Sequence, residues 1–242
     1  MNAPVTAALV DVLAPDADHV VLELAAGAGD LTQALAGRVA RVISTDISPQ
    51  MVAAGRRRGL PRVDHLVMDM QSLELADASV DGVVSRYGLM LVPDPARALR
   101  EARRVLRGGG RLAFATWAPA ARNPWATAFG PVLIQRGLLE PPQPGAPGQF
   151  ALGEPERIEV LARGAGFAAV DVREVALEWR FPDWWEYRRV VTSLATSLRE
   201  LLPKLDAATV AEVDEAARAR LGPYRTGDGY VLPGLALVTS AR

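Results

Sequence analysis

Residues 21–32 read VLELAAGAGDLT. An apolar run, HVVLELAA (19–26), ends here in a turn of small residues, and a helical pattern, LTQALAGR (31–38), follows at once. Glycine tolerates the unusual dihedrals of a tight turn and lets the backbone pass close to a ligand. A strand, a glycine-bearing turn and a helix in that order form the opening unit of a parallel sheet, whose ligands bind at the carboxyl ends of its strands.

The same alternation extends outward from this unit. RVISTDI (41–47) reads as strand two, with Ser48 as N-cap and Pro49 at the first position of the helix through QMVAAGRRRG. VDHLVMDM (63–70) and VDGVVSRYGLM (80–90) read as strands three and four. PDPARALREARRVLR (93–107) carries Ala98, Leu99, Ala102, Val105 and Leu106 at helical spacing; GGG (108–110) reads as its C-cap and turn, and RLAFATWAP (111–119) as strand five. Residues 120–153 are rich in Pro and Gly around a short helix near WATAFGPVLIQRG. A helix over 155–167, strand six over 169–181, two helical patterns over 184–221 split at Pro203, and a closing strand over 230–242 complete the chain.

That order predicts an α/β fold: a doubly wound, Rossmann-like, seven-stranded sheet with an antiparallel last strand and helical cap insertions. It is expected as a single domain over 1–242, with a ligand-binding core at 16–119. The cap insertions fall at about 120–153 and 183–225, over the carboxyl ends of the strands, and the closing strands at 169–181 and 230–242.

Composition removes several function classes. The 242 residues include no cysteine, which excludes disulfides and thiolate metal sites. Only two histidines, His19 and His65, are present, too few for a His-built metal site, and no metal is expected. Against 28 Asp+Glu stand 27 Lys+Arg, 26 of them arginine because Lys204 is the only lysine, for a net charge of −1. A nucleic-acid binder needs a basic excess, so no nucleic-acid partner is expected. The N-terminal stretch lacks a basic n-region and its apolar run is broken by Asp11 and Pro15, so a cytoplasmic protein without a membrane span is expected.

Two carboxylates follow the glycine turn at successive strand ends. Asp46 ends strand two, where it could accept from both ribose hydroxyls, and Asp69 ends strand three, where it could face an exocyclic amine. Taken together, the turn and the two acids point to a nucleoside. A dinucleotide-dependent reductase is the rival. The turn, however, is A-x-G-x-G-D and lacks the third glycine of G-x-G-x-x-G, and position 200, four before Lys204, is Glu rather than Tyr.

Here the sequence resembles a known family. ELAAGAG is similar to the E/D-x-G-x-G-x-G signature of class I S-adenosylmethionine-dependent methyltransferases, with Ala25 in place of the first glycine. The likeness continues through TDIS, MDM, VDGVVSRYGLM and DPARALREARRVLRGGGRLAFATWAP, a block similar to the ubiquinone/menaquinone-biosynthesis-like members, and covers residues 20–119. The resemblance implies S-adenosyl-L-methionine as cofactor. Glu23, Ala25, Ala26, Gly27 and Gly29 would surround its methionine moiety and Asp46 would hold the ribose. Ile47 and Met51 would lie against the adenine, with Asp69 at its amine and the Met70 backbone beside the ring. Ser85 and Arg86 would lie near the sulfonium and the amino-acid tail.

For the substrate, Arg86 and Tyr87 are the candidate catalytic residues, at the carboxyl end of strand four. His65 lies mid-strand and His19 at the opposite end of the sheet, so neither suits. Tyr87, Trp117, Trp125, Trp184 and Tyr224 are the candidate substrate contacts. Trp117, Trp125, Trp184 and Trp185, with Phe129 and Tyr187, could build an apolar roof over a flat molecule. PYRTGDGY (223–230) adds Arg225 and Asp228 in what is first of all a turn. The reading is methyl transfer to a small-molecule acceptor, aromatic or quinone-like, as in secondary metabolism, by a monomer or homodimer. The alternative is an S-adenosylmethionine-binding protein without methyl transfer, such as an inactive partner subunit or a cyclase-like enzyme.

Overall fold

The computed structural model describes residues 2–143, 145–227 and 229–242, and of Thr196 the backbone alone. In chain order the elements are α1 (Ala3–Leu13), β1 (Val20–Leu24), α2 (Asp30–Leu35), β2 (Arg41–Asp46), α3 (Pro49–Arg56), β3 (Val63–Val67), β4 (Val80–Arg86), α4 (Pro95–Val105) and β5 (Leu106–Trp117). After these come α5 (Phe129–Gln135), α6 (Pro155–Gly164), β6 (Val170–Phe181), α7 (Trp184–Leu194), α8 (Thr196–Leu201), α9 (Ala207–Arg220), β7 (Arg225–Thr226) and β8 (Gly229–Ala241). The chain divides into two compact units: Asn2–Ala118 with Pro144–Val175 and Ala236–Arg242, and Pro119–Gln143 with Ala176–Leu235.

The sheet order is β3-β2-β1-β4-β5-β8-β6, with β7 added to β8. Strands β3, β2, β1, β4 and β5 are parallel, and β8 pairs antiparallel with β5 from Leu112↔Ala241 to Trp117↔Ala236. Seven strands on the main path and an antiparallel last strand agree with the expected class; β7 is a two-residue addition. The central strands β1 (VVLEL) and β4 (VDGVVSR) are buried along most of their length, polar Glu23 and Ser85 included, as expected of strands covered on both faces.

Local chemistry sets the helix starts. Ser48 accepts from the Met51 amide at 3.3 Å ahead of Pro49, and Asp94 accepts from the Arg97 amide at 2.9 Å ahead of Pro95. The sequence reading has no element over Ala3–Leu13. The structure has α1 there, burying Val5, Leu9, Val12 and Leu13 and packing on β4 and β5.

Three further readings need correction. Gly108–Gly110 are not a helix cap and turn but part of β5, which follows α4 directly. Pairing jumps from Val80↔Leu106 to Gly82↔Arg111, so extra residues bulge out of β5. Gly109 takes φ +84 there, and a Cβ on Gly110 would lie 2.9 Å from the Asp81 carbonyl oxygen. Residues 144–153 group with the first unit rather than with 119–143, held by a Gly148 amide bond to the Met90 carbonyl and a Thr116 hydroxyl bond to the Leu152 carbonyl, both 2.9 Å. Finally, 184–221 forms three helices rather than two, because the chain breaks at Ala195 as well as near Pro203.

Among the described residues no helix is long and apolar enough to cross a membrane, and no group of three or more His, Cys, Asp or Glu could hold a metal ion.

Candidate functional site

The turn after β1 alternates its backbone. Ala25, Gly27 and Gly29 have φ of +52, +58 and +88, so the A-x-G-x-G spacing is a spacing of left-handed residues. Only glycine adopts that region freely, and Ala25 is held there under strain. A Cβ at Gly27 would meet nothing within 4 Å, so that glycine borders open space.

Asp46 closes one side of the turn. Its Oδ2 accepts from the Gly27 amide and its Oδ1 from the Ser48 amide, each at 2.9 Å. Two backbone donors fix the carboxylate, and each oxygen keeps capacity for another donor, which suits a vicinal diol. The Ala26 amide donates to Thr45 O at 2.8 Å, anchoring the turn to β2 itself. Beside Asp46, Ile47 is 68% exposed, and Met51 in the first turn of α3 is 45% exposed. Two large apolar side chains left in water next to a braced carboxylate suit the flat face of a base.

Asp69 lies two residues beyond β3, which ends at Val67, not at the strand end as expected. Its Oδ1 accepts from the Gln71 amide at 2.8 Å, while Met70 is buried.

Glu23 lies beneath the turn rather than around an open space. It is 2% exposed; its Oε2 accepts from the Thr32 hydroxyl at 2.5 Å, and Thr32 Oγ1 lies 3.2 Å from Ser44 Oγ. Burial pushes its carboxyl up to about 8, against the opposing pull of the Thr32 hydrogen bond and the nearby Arg86 charge. Ser85 is also turned inward: its buried hydroxyl donates to Leu24 O at 3.0 Å and ties β4 to β1.

The guanidinium of Arg86 is committed. Nη1 donates to Thr6 Oγ1 at 2.6 Å and Nη2 lies 3.6 Å from Asp30 Oδ2, so it joins α1 to the start of α2. Asp30 is also bonded by Arg58. Arg86 is therefore tied to α1 and to the start of α2, and the sequence missed its partner because α1 was not read as a helix.

Tyr87 differs from it. It takes φ +64 just past β4, donates its amide to Ala115 O at 2.9 Å, and stacks on Trp117 with ring centroids 4.2 Å apart and planes 8° apart. Its phenol oxygen is buried with no hydrogen-bond partner, and burial holds its pKa above the ordinary tyrosine value. Tyr87 thus combines a left-handed, non-glycine backbone with an orphan buried hydroxyl at a strand end.

The expected aromatic roof is partly corrected. Trp125 stacks on Trp179 at 4.0 Å and donates Nε1 to Asn123 Oδ1 at 3.0 Å. Trp184 packs on Phe129 and Tyr187 at 5.8 and 5.7 Å. Both are buried with Tyr187 in the core of their own unit, so their faces are spent on other rings and no substrate surface is left. Trp185 on α7 is exposed. Tyr224 lines a separate cavity, and Asp228 lies outside the described residues. His19 pairs with Asp16 and His65 is buried in β3 against Gly55.

A doubly wound sheet with a left-handed turn after β1 and a braced acid after β2 defines a Rossmann-like nucleoside-binding fold. More particularly, residues 22–114 carry a domain that matches the family model described as "Methyltransferase domain". A demethylmenaquinone methyltransferase of Clavibacter sepedonicus is 41% identical over 102 residues, 41% of this chain and 42% of that protein. A ubiquinone/menaquinone biosynthesis C-methyltransferase of Rubrivivax gelatinosus is 40% identical over 103 residues, 43% of this chain and 41% of that protein. The matches span less than half the length of these two curated relatives. Among solved structures, the YcgJ protein of Bacillus subtilis matches with a TM-score of 0.66 at 20% identity, covering 98% of this chain and 97% of that one. The fold is that of the class I methyltransferases.

Proposed function

We propose that the chain transfers a methyl group from S-adenosylmethionine to a small-molecule acceptor of aromatic or quinone-like character. The observation that carries this reading is the Asp46 carboxylate, braced by the Gly27 and Ser48 amides beside the left-handed turn Ala25–Gly29. The residues fit the cofactor. Open space at Gly27 admits its amino-acid arm, Asp46 receives the ribose hydroxyls, and exposed Ile47 and Met51 cover the purine.

Bound there, S-adenosylmethionine supplies a methyl group activated by a positively charged sulfonium. Most of the remaining work is placement and exclusion of water. Arg86 holds α1 against α2 and so keeps the turn in shape. Tyr87 stays a neutral phenol at physiological pH because burial raises its pKa, so it acts as a hydrogen-bond donor to an acceptor oxygen rather than as a base. The names of the two quinone-methylating relatives favour a quinone-like acceptor. The same reading has the protein act in the cytoplasm, as a monomer or homodimer and without nucleic acid; the net charge of −1 supports the last point.

The test is calorimetry with S-adenosylmethionine and S-adenosylhomocysteine, with NAD as control, followed by a search for S-adenosylhomocysteine formation against quinols and phenols. Micromolar-range binding of the first two and turnover with one acceptor class establish the reading. Binding without turnover on any acceptor favours the alternative, a cofactor-binding protein that does not methylate. Binding of NAD alone overturns both.

A further inference from the structure

The unit formed by Pro119–Gln143 and Ala176–Leu235 contains a cavity of about 390 Å³. Ala120, Ala121, Pro124 and Ala128 give it small apolar walls. Its polar lining is Arg220, the last residue of α9, with Tyr224 and Thr127. The Thr127 hydroxyl faces Pro124 O at 3.4 Å, which leaves Arg220 and Tyr224 as the groups open to a ligand.

Among the described residues no acidic side chain lines this space and no carboxylate pairs with Arg220. Arg136, Arg188 and Arg189 of this unit are paired with Glu212, Asp214 and Glu186, while Arg220 is the arginine that lines the cavity. An arginine left without an acid, beside a phenol, offers a planar fork of donors for a carboxylate, and the small side chains of Ala120, Ala121 and Ala128 leave room for the body attached to it. The volume lies at the small end of ligand pockets, roughly 300–1,000 Å³, and admits one substituted ring.

We propose that this cavity binds a small aromatic carboxylate, with Arg220 on the acid group, Tyr224 donating a second hydrogen bond, and the alanine walls against the ring. That the bound anion is part of the methyl acceptor rests on the methyl-transfer reading; the binding itself does not.

The test uses the full chain and 4-hydroxybenzoate as probe, followed by calorimetry, with 4-hydroxybenzamide as its uncharged analogue. Saturable binding is expected, at least tenfold weaker for the amide and at least tenfold weaker in Arg220→Met, with a smaller loss in Tyr224→Phe. Since Arg220 is exposed and unpaired, Arg220→Met keeps the wild-type melting temperature; should it fail to fold, the comparison of acid and amide on the unaltered chain still decides. Absence of saturable binding, equal affinity for acid and amide, or displacement of the probe by S-adenosylhomocysteine overturns the proposal. Affinity for S-adenosylhomocysteine is measured in parallel, so failure of the cofactor reading and failure of this one give different results.

Discussion

A Cβ placed on Gly88 would lie 2.5 Å from the Cβ of Ala25, so these two positions share room for one methyl group. Ala25 holds that methyl in a left-handed backbone, at the position where related signatures carry glycine. The missing glycine of the turn is thus matched by a glycine after β4.

The pair makes a double-mutant prediction. Ala25→Gly removes a left-handed non-glycine residue and should raise stability by up to about 1 kcal/mol. Gly88→Ala overpacks the site and should lower it by about 1–3 kcal/mol. In the Ala25→Gly background that loss shrinks by about 1 kcal/mol. It does not vanish, because the new Cβ still lies 2.7 Å from Ser85 Oγ. Denaturant midpoints of the four proteins give the coupling, and strict additivity would show that the two positions do not share the space.

Glu23 sets a pH dependence. Its carboxyl, ordinarily near 4.5, rises to about 8 on folding through burial. Between those values the folded chain binds a proton that the unfolded chain has released. The group's contribution is therefore fully present below about 4.5 and is lost as pH rises toward 8. Glu23→Gln keeps the acceptor for Thr32 and removes the titration. Stability of the parent should fall by a few kcal/mol more than that of the variant between pH 5 and 8. Parallel unfolding curves for the two proteins across that range would mean that Glu23 is ionised in the fold.

What the sequence disclosed was what nearby residues decide. The A-x-G-x-G spacing became three left-handed residues, Ser48 became a cap before Pro49, and Asp46 was found bonded to the turn it was expected to border, because each depends on neighbours in the chain or on the next strand. What it hid depends on distant partners. Arg86 is spent on Thr6, 80 residues away in a helix the pattern did not reveal. Trp125 and Trp184 look the same in sequence whether they face a substrate or each other's neighbours, and only the packing of α5 and α7 decides. The bulge at Gly108–Gly110 likewise needs the partner strand β4 to be visible.

Asp46 can be tested on binding alone. Asp46→Ala removes the half-buried acceptor proposed for the diol and releases the Gly27 and Ser48 amides. Affinity for S-adenosylhomocysteine should fall by about 1–3 kcal/mol, roughly 5- to 150-fold. Asp46→Asn keeps the shape and one acceptor oxygen and should fall between the two. Calorimetry on the three proteins checks the order, and unchanged affinity in Asp46→Ala removes this residue from the site.

Tyr87 separates stability from function. An orphan buried hydroxyl costs its desolvation without a return, so Tyr87→Phe should leave stability unchanged or raise it by about 1 kcal/mol while keeping the stack on Trp117. If the phenol donates to the acceptor, the same change lowers kcat by about tenfold or more and leaves cofactor affinity intact. Tyr87→Ala would instead remove the stack and should destabilise by about 3 kcal/mol or more, so it is the wrong variant for the question. A Tyr87→Phe protein that is more stable and fully active would show that the strained residue serves the fold alone.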